Sequence, residues 1–324
     1  MVLRGYIVNC TGCFFFFSAQ PILPRASGTD AQGIADGRNT EVVRMKIGFI
    51  GAGNVGTSLG KLFTQHGIAV TGYFSRTRKH AEEAAEFTRT HCFDTLEEIV
   101  QASDTLFVTT SDGAVARMWK DMKTLPIKSK WICHCSGALP SSVFEGADAC
   151  GAQTCSVHPM MAVSDRFSAW EKLTGAFFTL EGNGAPHMQG VLDACGIQHA
   201  TIQAADKARY HLASCVVSNL VVGLADWGTQ LLEQCGFTPE QALTALTPLM
   251  RGNMQAICDK GPQNALTGPA ERGDMGTIQS HMACLTREEQ ALYARLTRRL
   301  CDIAHKKHPD RDDTALTEYL EGLS

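Results

Sequence analysis

The pattern of apolar and polar residues changes near residue 206. Before it, short apolar runs alternate with amphipathic segments of helical periodicity, which is typical of an α/β fold with a mainly parallel sheet. After it, strand signals stop and helical periodicity continues to the end of the chain. We therefore predict a doubly wound α/β domain at residues 45–205 and an all-α domain at residues 206–324.

The clearest local signal is the segment 45–60, MKIGFIGAGNVGTSLG, in which a short apolar run leads into a G-x-G-x-x-G turn and then a helical pattern. In such a turn Gly51 permits the tight bend, Gly53 lets backbone approach a pyrophosphate, and Gly56 lets the helix pack closely. Because the pattern lies between a strand and a helix, it predicts a Rossmann-like dinucleotide site rather than a glycine-rich turn without a ligand. The cofactor-binding residues predicted in this turn are Gly51, Gly53, Asn54, Val55 and Gly56.

The second apolar strand, residues 68–74, is followed by Ser75, Arg76, Thr77 and Arg78, with no acidic residue. NAD-specific folds place an acid there for the ribose 2′-hydroxyl, whereas guanidinium groups suit a 2′-phosphate. We therefore predict NADP as the cofactor, with Ser75 and Arg76 as contacts. The alternative is that the two arginines are solvated loop charges.

Three further strand ends should reach the same edge of the sheet. Strand 104–110 runs into Ser111, strand 131–135 into Ser136, and strand 152–157 into His158. Ligands bind at the carboxyl edge of open α/β sheets, so we predict Ser111 and Ser136 as cofactor contacts and His158 as a substrate contact. His134 lies near the same edge, and Asp112 is expected to cap a helix that begins at Ala114.

Residues 206–235 are predicted to form one long helix, apolar on most faces, as in a domain core or a dimer interface. Lys207, His211, Ser214 and Ser218 fall on one face at 100° per residue, which indicates a polar stripe along a cleft. The alternative is that these residues form structural hydrogen bonds inside a bundle. Further on, the segment 265–274, ALTGPAERGD, forms a predicted functional loop, and a last amphipathic helix is predicted at residues 287–305.

Composition narrows the class of protein. The net charge of −4 does not indicate the basic surface that nucleic-acid-binding proteins need. No uninterrupted apolar run reaches the length of a membrane span. The 13 cysteines are scattered singly, which favours reduced thiols and a cytoplasmic location. A metal site using His158, His211 and His281 has no ligand spacing to support it, so we predict none.

Residues 1–44 do not fit the pattern of the rest. They carry a short apolar patch, residues 14–17, and then a polar stretch, whereas Met45 resembles the start of a Rossmann strand. We expect a disordered extension or a misassigned start codon. A targeting segment is the alternative.

Together, the G-x-G-x-x-G turn, the segments 135–139 (CSGAL) and 156–159 (SVHP), the helix from Lys207 to Asn219, and the loop 265–274 with Thr277 and His281 resemble one family. It comprises oxidoreductases that pair a Rossmann-like NADP-binding domain with a C-terminal helical domain of unknown function. The resemblance covers about residues 45–320. The family is similar in plan to ketopantoate reductases, pyrroline-5-carboxylate reductases and β-hydroxyacid dehydrogenases.

The resemblance implies hydride transfer between NADPH and a small carbonyl or imine, by a homodimer assembled through the helical domain. Lys207 or His211 would donate the proton, and Asn219 would orient the substrate. Thr267, Gly268 and Arg272 would hold the substrate, with Arg272 on a carboxylate. A 2-oxo acid such as ketopantoate is the first substrate to expect. The rival hypothesis is a non-catalytic dinucleotide-binding sensor or partner-binding protein.

Overall fold

A computed structural model describes residues 45–323. These residues divide into two compact units. A sheet unit comprises residues 45–136 and 140–202, and a helical unit comprises residues 137–139 and 203–323. The extension predicted at residues 1–44 lies outside the described residues.

The sheet unit contains one eight-stranded sheet, ordered β3-β2-β1-β4-β5-β6-β7-β8. All neighbouring strands are parallel except β6 and β7, which are antiparallel. The predicted doubly wound, mainly parallel sheet is therefore confirmed. The strands are β1 Lys46–Ile50, β2 Ala69–Phe74, β3 His91–Cys92, β4 Thr105–Val108, β5 Trp131–His134, β6 Gln153–Pro159, β7 Phe178–Glu181 and β8 His199–Thr201.

The register of the central strands brings their carboxyl ends to one edge. Ile50 at the end of β1 is paired with Phe74 of β2 on one side and with Val108 of β4 on the other. The residues after these strands are Gly51, Ser75 and Thr109, so they meet at the point where the strand order reverses. This is where open α/β sheets bind ligands.

Within residues 45–202, six α-helices accompany the sheet, together with a 3-10 helix at Ser141–Val143. The α-helices are α1 Asn54–Gln65, α2 Arg78–Thr88, α3 Leu96–Ala102, α4 Asp112–Met122, α5 Trp170–Leu173 and α6 Ala185–Ala194. Behind the glycine turn the core is aromatic, with the ring of Phe49 5.3 Å from those of both Tyr73 and Phe107. All three side chains are fully buried, and their packing holds β1, β2 and β4 together next to the edge of the sheet where ligands bind.

The helical unit contains α7 Lys207–Val217, α8 Asn219–Gln234, α9 Pro239–Ala265, α10 Pro269–Arg272, α11 Met275–Ala283, α12 Arg287–Lys307 and α13 Thr314–Glu321. Gly261 interrupts α9 with a non-helical φ of 75°. A small core, which includes Ile278, Met282 and Leu320, packs α11, α12 and α13 together. Helix α13 follows the helix predicted to be the last, so that prediction was wrong.

The prediction of a single long helix at residues 206–235 is also wrong, because the helix is interrupted at Ser218. There φ is −119° and ψ is −76°, and two helices, α7 and α8, flank the break. The Ser218 hydroxyl donates a hydrogen bond of 2.7 Å to the carbonyl of Ser214. A serine that bonds back to the carbonyl four residues earlier competes with the helical ladder and bends the helix.

The apolar side chains of α7, α8 and α9 are largely exposed within one chain, in contrast to the burial expected of a core helix. Val217 is 65% exposed, Val222 is 69% exposed and Leu249 is 62% exposed. The segment Ala204–Gln234 is long and apolar enough, by length and composition alone, to cross a membrane. The break at Ser218 divides it into helices of 11 and 16 residues, each shorter than the roughly 20 residues of a typical span.

Candidate functional site

The glycine turn has the geometry that a dinucleotide requires. Gly51 has φ 113°, and a Cβ there would lie 2.7 Å from the carbonyl oxygen of Thr109. A Cβ on Gly56 would lie 2.6 Å from the carbonyl oxygen of Gly51, whereas one on Gly53 would meet no atom within 4 Å. Gly51 and Gly56 therefore shape the turn, and Gly53 leaves open space beside it. The tight bend at Gly51 and the close approach at Gly56 are as expected from the sequence, whereas the approach of a pyrophosphate to Gly53 stays a prediction.

The first turn of α1 suits an anion. Its N-cap is Gly53, it contains no acidic residue, and no described side chain caps it. The amides at such a helix start carry a partial positive charge and lack intrahelical partners. A pyrophosphate at this position would satisfy them, so the residues present fit the predicted nucleotide.

Two clefts lie on either side of the glycine turn. The β2 cleft has a volume of about 240 Å³, and the β4 cleft about 360 Å³. Both are lined by Thr109, Thr110 and Ser111 at the end of β4. The other residues of the β2 cleft include Gly51, Gly53, Ser75, Arg76 and Thr77, and those of the β4 cleft include Asn54, Val55, Asp112, Cys135 and Ser136.

The two arginines after β2 differ in their surroundings. Arg78 bonds Glu82 at 2.7 Å and also pairs with Asp94, and it does not line the β2 cleft. Arg76 lines that cleft, is exposed, and forms no ion pair with any residue in 45–323. Of the two guanidinium groups, only that of Arg76 is available to a phosphate in the cleft.

Asp112 does not cap a helix, contrary to expectation. It is the first residue of α4, whose N-cap is Ser111, and its Oδ2 accepts a hydrogen bond of 2.7 Å from the Ser136 hydroxyl. The helix begins two residues earlier than predicted, and the carboxylate instead reaches the end of β5. Ser136 thus joins the residues of β4 and β5 that line the β4 cleft.

His134 fixes the backbone that presents Ser136. Its ring is fully buried, Nδ1 accepts from the Ser136 amide at 3.1 Å, and Nε2 lies 3.3 Å from the Pro140 carbonyl. Because the amide can only donate and the carbonyl can only accept, these bonds assign the proton to Nε2. His134 is therefore a structural residue of this loop.

Asn54 holds a neighbouring loop. Its side-chain amide donates to the carbonyls of Val163 and Ser164 at 3.1 and 3.0 Å. Ser58, one turn later on α1, donates to the Arg166 carbonyl at 3.2 Å. The segment 163–166 is thereby fastened along α1, and Val163 forms part of the wall of the β4 cleft.

The predicted catalytic residues belong to the helical unit. Lys207 is 2% exposed, and its Nζ lies 5.6 Å from the centre of the Tyr210 ring. The His211 ring lies one turn further along α7 and approaches the Cys215 sulfur at 3.8 Å. Asn219 begins α8, where its side-chain oxygen accepts from the Ser218 hydroxyl at 3.1 Å.

The predicted loop 266–274 contains the short helix α10, and a charge cluster around Glu271 of that helix holds the segment in place. Glu271 lies 3.0 Å from Lys307 and 2.8 Å from His308. Hydrogen bonds from His308 and then Lys307 lower the pKa of Glu271 to about 2. Gly268 and Gly273 have φ values of 93° and 71°, so glycine is required at both bends.

The predicted substrate residues have different degrees of exposure. In the loop, Thr267 and Arg272 are exposed, and the Arg272 guanidinium is 3.9 Å from the Asp274 carboxylate. His158 lies within β6 rather than after its end, contrary to prediction, and is half-buried opposite Thr179 of β7. No group of three potential metal-binding side chains occurs within residues 45–323.

Two family models match the chain. Residues 46–131 match the family described as NADP oxidoreductase coenzyme F420-dependent, and residues 176–300 match a domain of unknown function, DUF2520. The chain combines an NADP-oxidoreductase domain with a DUF2520 domain. The two matches confirm the predicted family and the predicted oxidoreductase class. The description of the first family names NADP, which is the predicted cofactor.

Solved structures share the fold of the NADP-oxidoreductase and DUF2520 domains. A Thermotoga maritima protein is 24% identical, with a TM-score of 0.64 over 81% of this chain and 99% of its own. An NADH-preferring ketol-acid reductoisomerase from an uncultured archaeon is 14% identical, with a TM-score of 0.60 over 88% and 94%. A Plasmodium falciparum pyrroline carboxylate reductase with NADP bound is 14% identical, with a TM-score of 0.53 over 85% and 99%. No curated protein sequence is similar enough to the chain to count as a match.

The structure brings together the predicted cofactor residues of the NADP-oxidoreductase domain. They all lie at the turn or line one of the two clefts. Sequence reasoning missed Asp112 as a cleft residue and Thr109, whose hydroxyl donates to the Gly51 carbonyl at 2.7 Å. Both residues follow the end of β4, and that position in the sequence could have indicated that they lie at the site. The binding and catalytic roles of individual residues stay predictions.

Proposed function

We propose that the protein is an NADPH-dependent reductase of a small carbonyl or imine compound. The observation that carries the proposal is the unpaired Arg76 in a cleft beside an open, uncapped glycine turn. NADPH, when bound, supplies the hydride. The chain has to hold the pyrophosphate and the 2′-phosphate, orient the substrate and provide a proton.

The cofactor is held by the edge of the sheet. Amides from Gly53 to Gly56 bind the pyrophosphate, and Ser75 with Arg76 binds the 2′-phosphate. Asn54, Val55, Ser111 and Ser136 line the remaining half of the site. The ketol-acid reductoisomerase that shares this fold prefers NADH, so the fold alone does not select the phosphate. Arg76 is the residue we assign to that selection.

The proton comes from the helical unit. We assign it to Lys207 or His211, because an ammonium or imidazolium group can donate a proton as a general acid and both side chains lie on α7. Asn219 and the backbone of Thr267 and Gly268 orient the reacting group.

The substrate is a small acid in this proposal. Arg272 is assigned to its carboxylate, and His158 is assigned as a further substrate contact. Ketopantoate and other 2-oxo acids are the first compounds to screen, followed by cyclic imines. The solved relatives support this choice by name, since they include a ketol-acid reductoisomerase and a pyrroline carboxylate reductase.

The catalytic assignment is tested with Lys207→Ala and His211→Ala. Each variant should bind NADPH like the wild type and oxidise it more slowly, roughly 100-fold or more for a lost general acid. The measurement is NADPH absorbance in the screen, with binding titrated separately. Wild-type turnover in both variants would exclude the proton-donor assignment. Tight NADPH binding without turnover of any screened substrate would favour the rival, a non-catalytic sensor or partner-binding protein.

The assembly and location form part of the proposal. The exposed apolar side chains of α7, α8 and α9 would be covered by a second copy, which gives a homodimer through the helical domain. All cysteines within residues 45–323 are free, which supports a cytoplasmic location. In this proposal residues 45–205 serve the cofactor and contribute His158 to the substrate, and residues 206–324 serve the substrate and the dimer. A contact with nucleic acid or membrane forms no part of this function.

A further inference from the structure

We propose that Asp112 makes the β4 cleft favour the oxidised cofactor, NADP⁺, over NADPH. The inference rests on the proposed function, because it requires that the protein bind NADP in the two clefts. It assigns a specificity role to a side chain that the cofactor motif does not include. The juxtaposition that carries it is a carboxylate held against Ser136 in a cleft whose lining, within residues 45–323, includes no second charged side chain.

The charge of the β4 cleft is the first observation. Its wall is composed of apolar side chains, hydroxyls, one amide and one thiol, and Asp112 is the only charged residue among those that line it. Asp112 forms no ion pair with any residue in 45–323. The cleft therefore carries an uncompensated negative charge.

The position of that charge is fixed. The Ser136 hydroxyl donates to Asp112 Oδ2 at 2.7 Å, and the Ser136 amide is held in turn by the buried ring of His134 at 3.1 Å. A hydrogen bond to a carboxylate is stronger than one between neutral groups. The carboxylate thus faces any ligand in the cleft from a defined place.

The order of the strands assigns the nicotinamide half of the cofactor to this cleft. Ser75 and Arg76 follow β2, so the phosphorylated ribose and its base belong in the β2 cleft. The pyrophosphate belongs at the glycine turn after β1. A dinucleotide that crosses the turn then places its other half beyond β1, at the ends of β4 and β5, where the β4 cleft lies.

NADP⁺ and NADPH are well matched ligands for testing the effect of the Asp112 charge on binding. They share the base, the pyrophosphate and the 2′-phosphate, and they differ by one hydride on the nicotinamide ring. The ring is cationic in NADP⁺ and neutral in NADPH, so a nearby carboxylate attracts only the first. Because Asp112 is exposed, salt should screen this attraction.

The test is the ratio of the NADPH dissociation constant to the NADP⁺ dissociation constant, measured by calorimetry on the full chain. For the wild type at low ionic strength we expect NADP⁺ to bind more tightly, on the order of fivefold. Asp112→Asn should bring the ratio close to one while keeping an oxygen that can accept from Ser136. Asp121→Asn removes the same charge from the exposed far end of α4 and should leave the ratio unchanged.

A second measurement needs no variant. Raising the salt concentration to about 1 M shortens the screening length to roughly 3 Å, so the wild-type ratio should fall toward that of Asp112→Asn. An identical ratio in the wild type and Asp112→Asn would overturn the inference, as would a wild-type ratio that salt does not move. If neither nucleotide binds the wild type, the proposed function itself fails, and the two failures are distinguishable.

Discussion

The surroundings of His187 predict how the stability of the sheet unit depends on pH. Its ring stacks on Trp131 with centroids 3.7 Å apart and planes 3° from parallel, and its Nε2 lies 3.1 Å from the Thr105 hydroxyl. Burial lowers the pKa of His187 to about 4 from the ordinary value of 6.5. The half-buried ring therefore stays neutral in the folded protein at pH values where the unfolded chain is protonated.

The sign of the effect follows from proton binding. Between pH 6.5 and about 4 the unfolded state binds more protons at this residue, so stability falls as the pH is lowered through that window. The stability is complete above pH 6.5 and stops changing below pH 4. For a single group, these two pKa values give a loss of about 2 kcal/mol between pH 7.5 and pH 5. Because the ring is only half-buried, solvent screening reduces this to about 1 kcal/mol.

The assay is urea unfolding of the full chain at pH 7.5 and pH 5, in which the unfolding of the sheet unit is compared between the wild type and His187→Phe. The variant keeps a ring against Trp131 and loses the titrating group, although the Thr105 hydroxyl loses a partner at both pH values. With an m-value of about 2 kcal/mol/M, the midpoint should fall roughly 0.5 M less in the variant than in the wild type. His91→Phe, which replaces an exposed histidine of the same unit, is the control. An equal fall in the wild type and His187→Phe would refute the reasoning.

Further predictions concern the turn and the assembly. Gly53→Ala should fold normally, because the new Cβ meets nothing, yet it should weaken NADPH binding, as measured by titration. Gly51→Ala should destabilise the protein by roughly 1–3 kcal/mol in the same unfolding assay, because its φ of 113° is strained for alanine and its Cβ would strike Thr109. An unstable Gly53 variant or a stable Gly51 variant would contradict this account of the turn. Val222→Glu should convert the expected dimer to a monomer by light scattering, and a wild-type monomer would exclude the proposed assembly.

Local signals in the sequence were sufficient for the cofactor turn. The strand, the three glycines and the helix are consecutive in the chain, so their conformations depend mainly on one another. The alternation of short apolar runs and helical segments likewise predicted the sheet. Both features follow from backbone sterics and hydrophobic periodicity, which can be read over a few residues.

Long-range contacts and local competition account for what the sequence did not predict. Arg76 and Arg78 are alike as residues, and only the folded chain shows that Glu82 and Asp94 engage Arg78. Asp112 was assigned to a cap because its partner, Ser136, is 24 residues away. At Ser218 the apolar periodicity continues on both sides, so the sequence did not indicate the helix break, where the Ser218 hydroxyl bonds back to the Ser214 carbonyl.

The most direct test of the central claim is a titration of the purified protein with NADPH and NADH, with the wild type beside Arg76→Ala and Arg78→Ala. Arg76→Ala should weaken NADPH binding on the order of tenfold and leave NADH binding unchanged, because only NADPH carries the 2′-phosphate. Arg78→Ala removes the same charge from outside the cleft and should change neither. Equal affinity of the wild type for the two nucleotides, or an equal loss of NADPH affinity in both variants, would contradict the assignment of the β2 cleft to the phosphate of NADP.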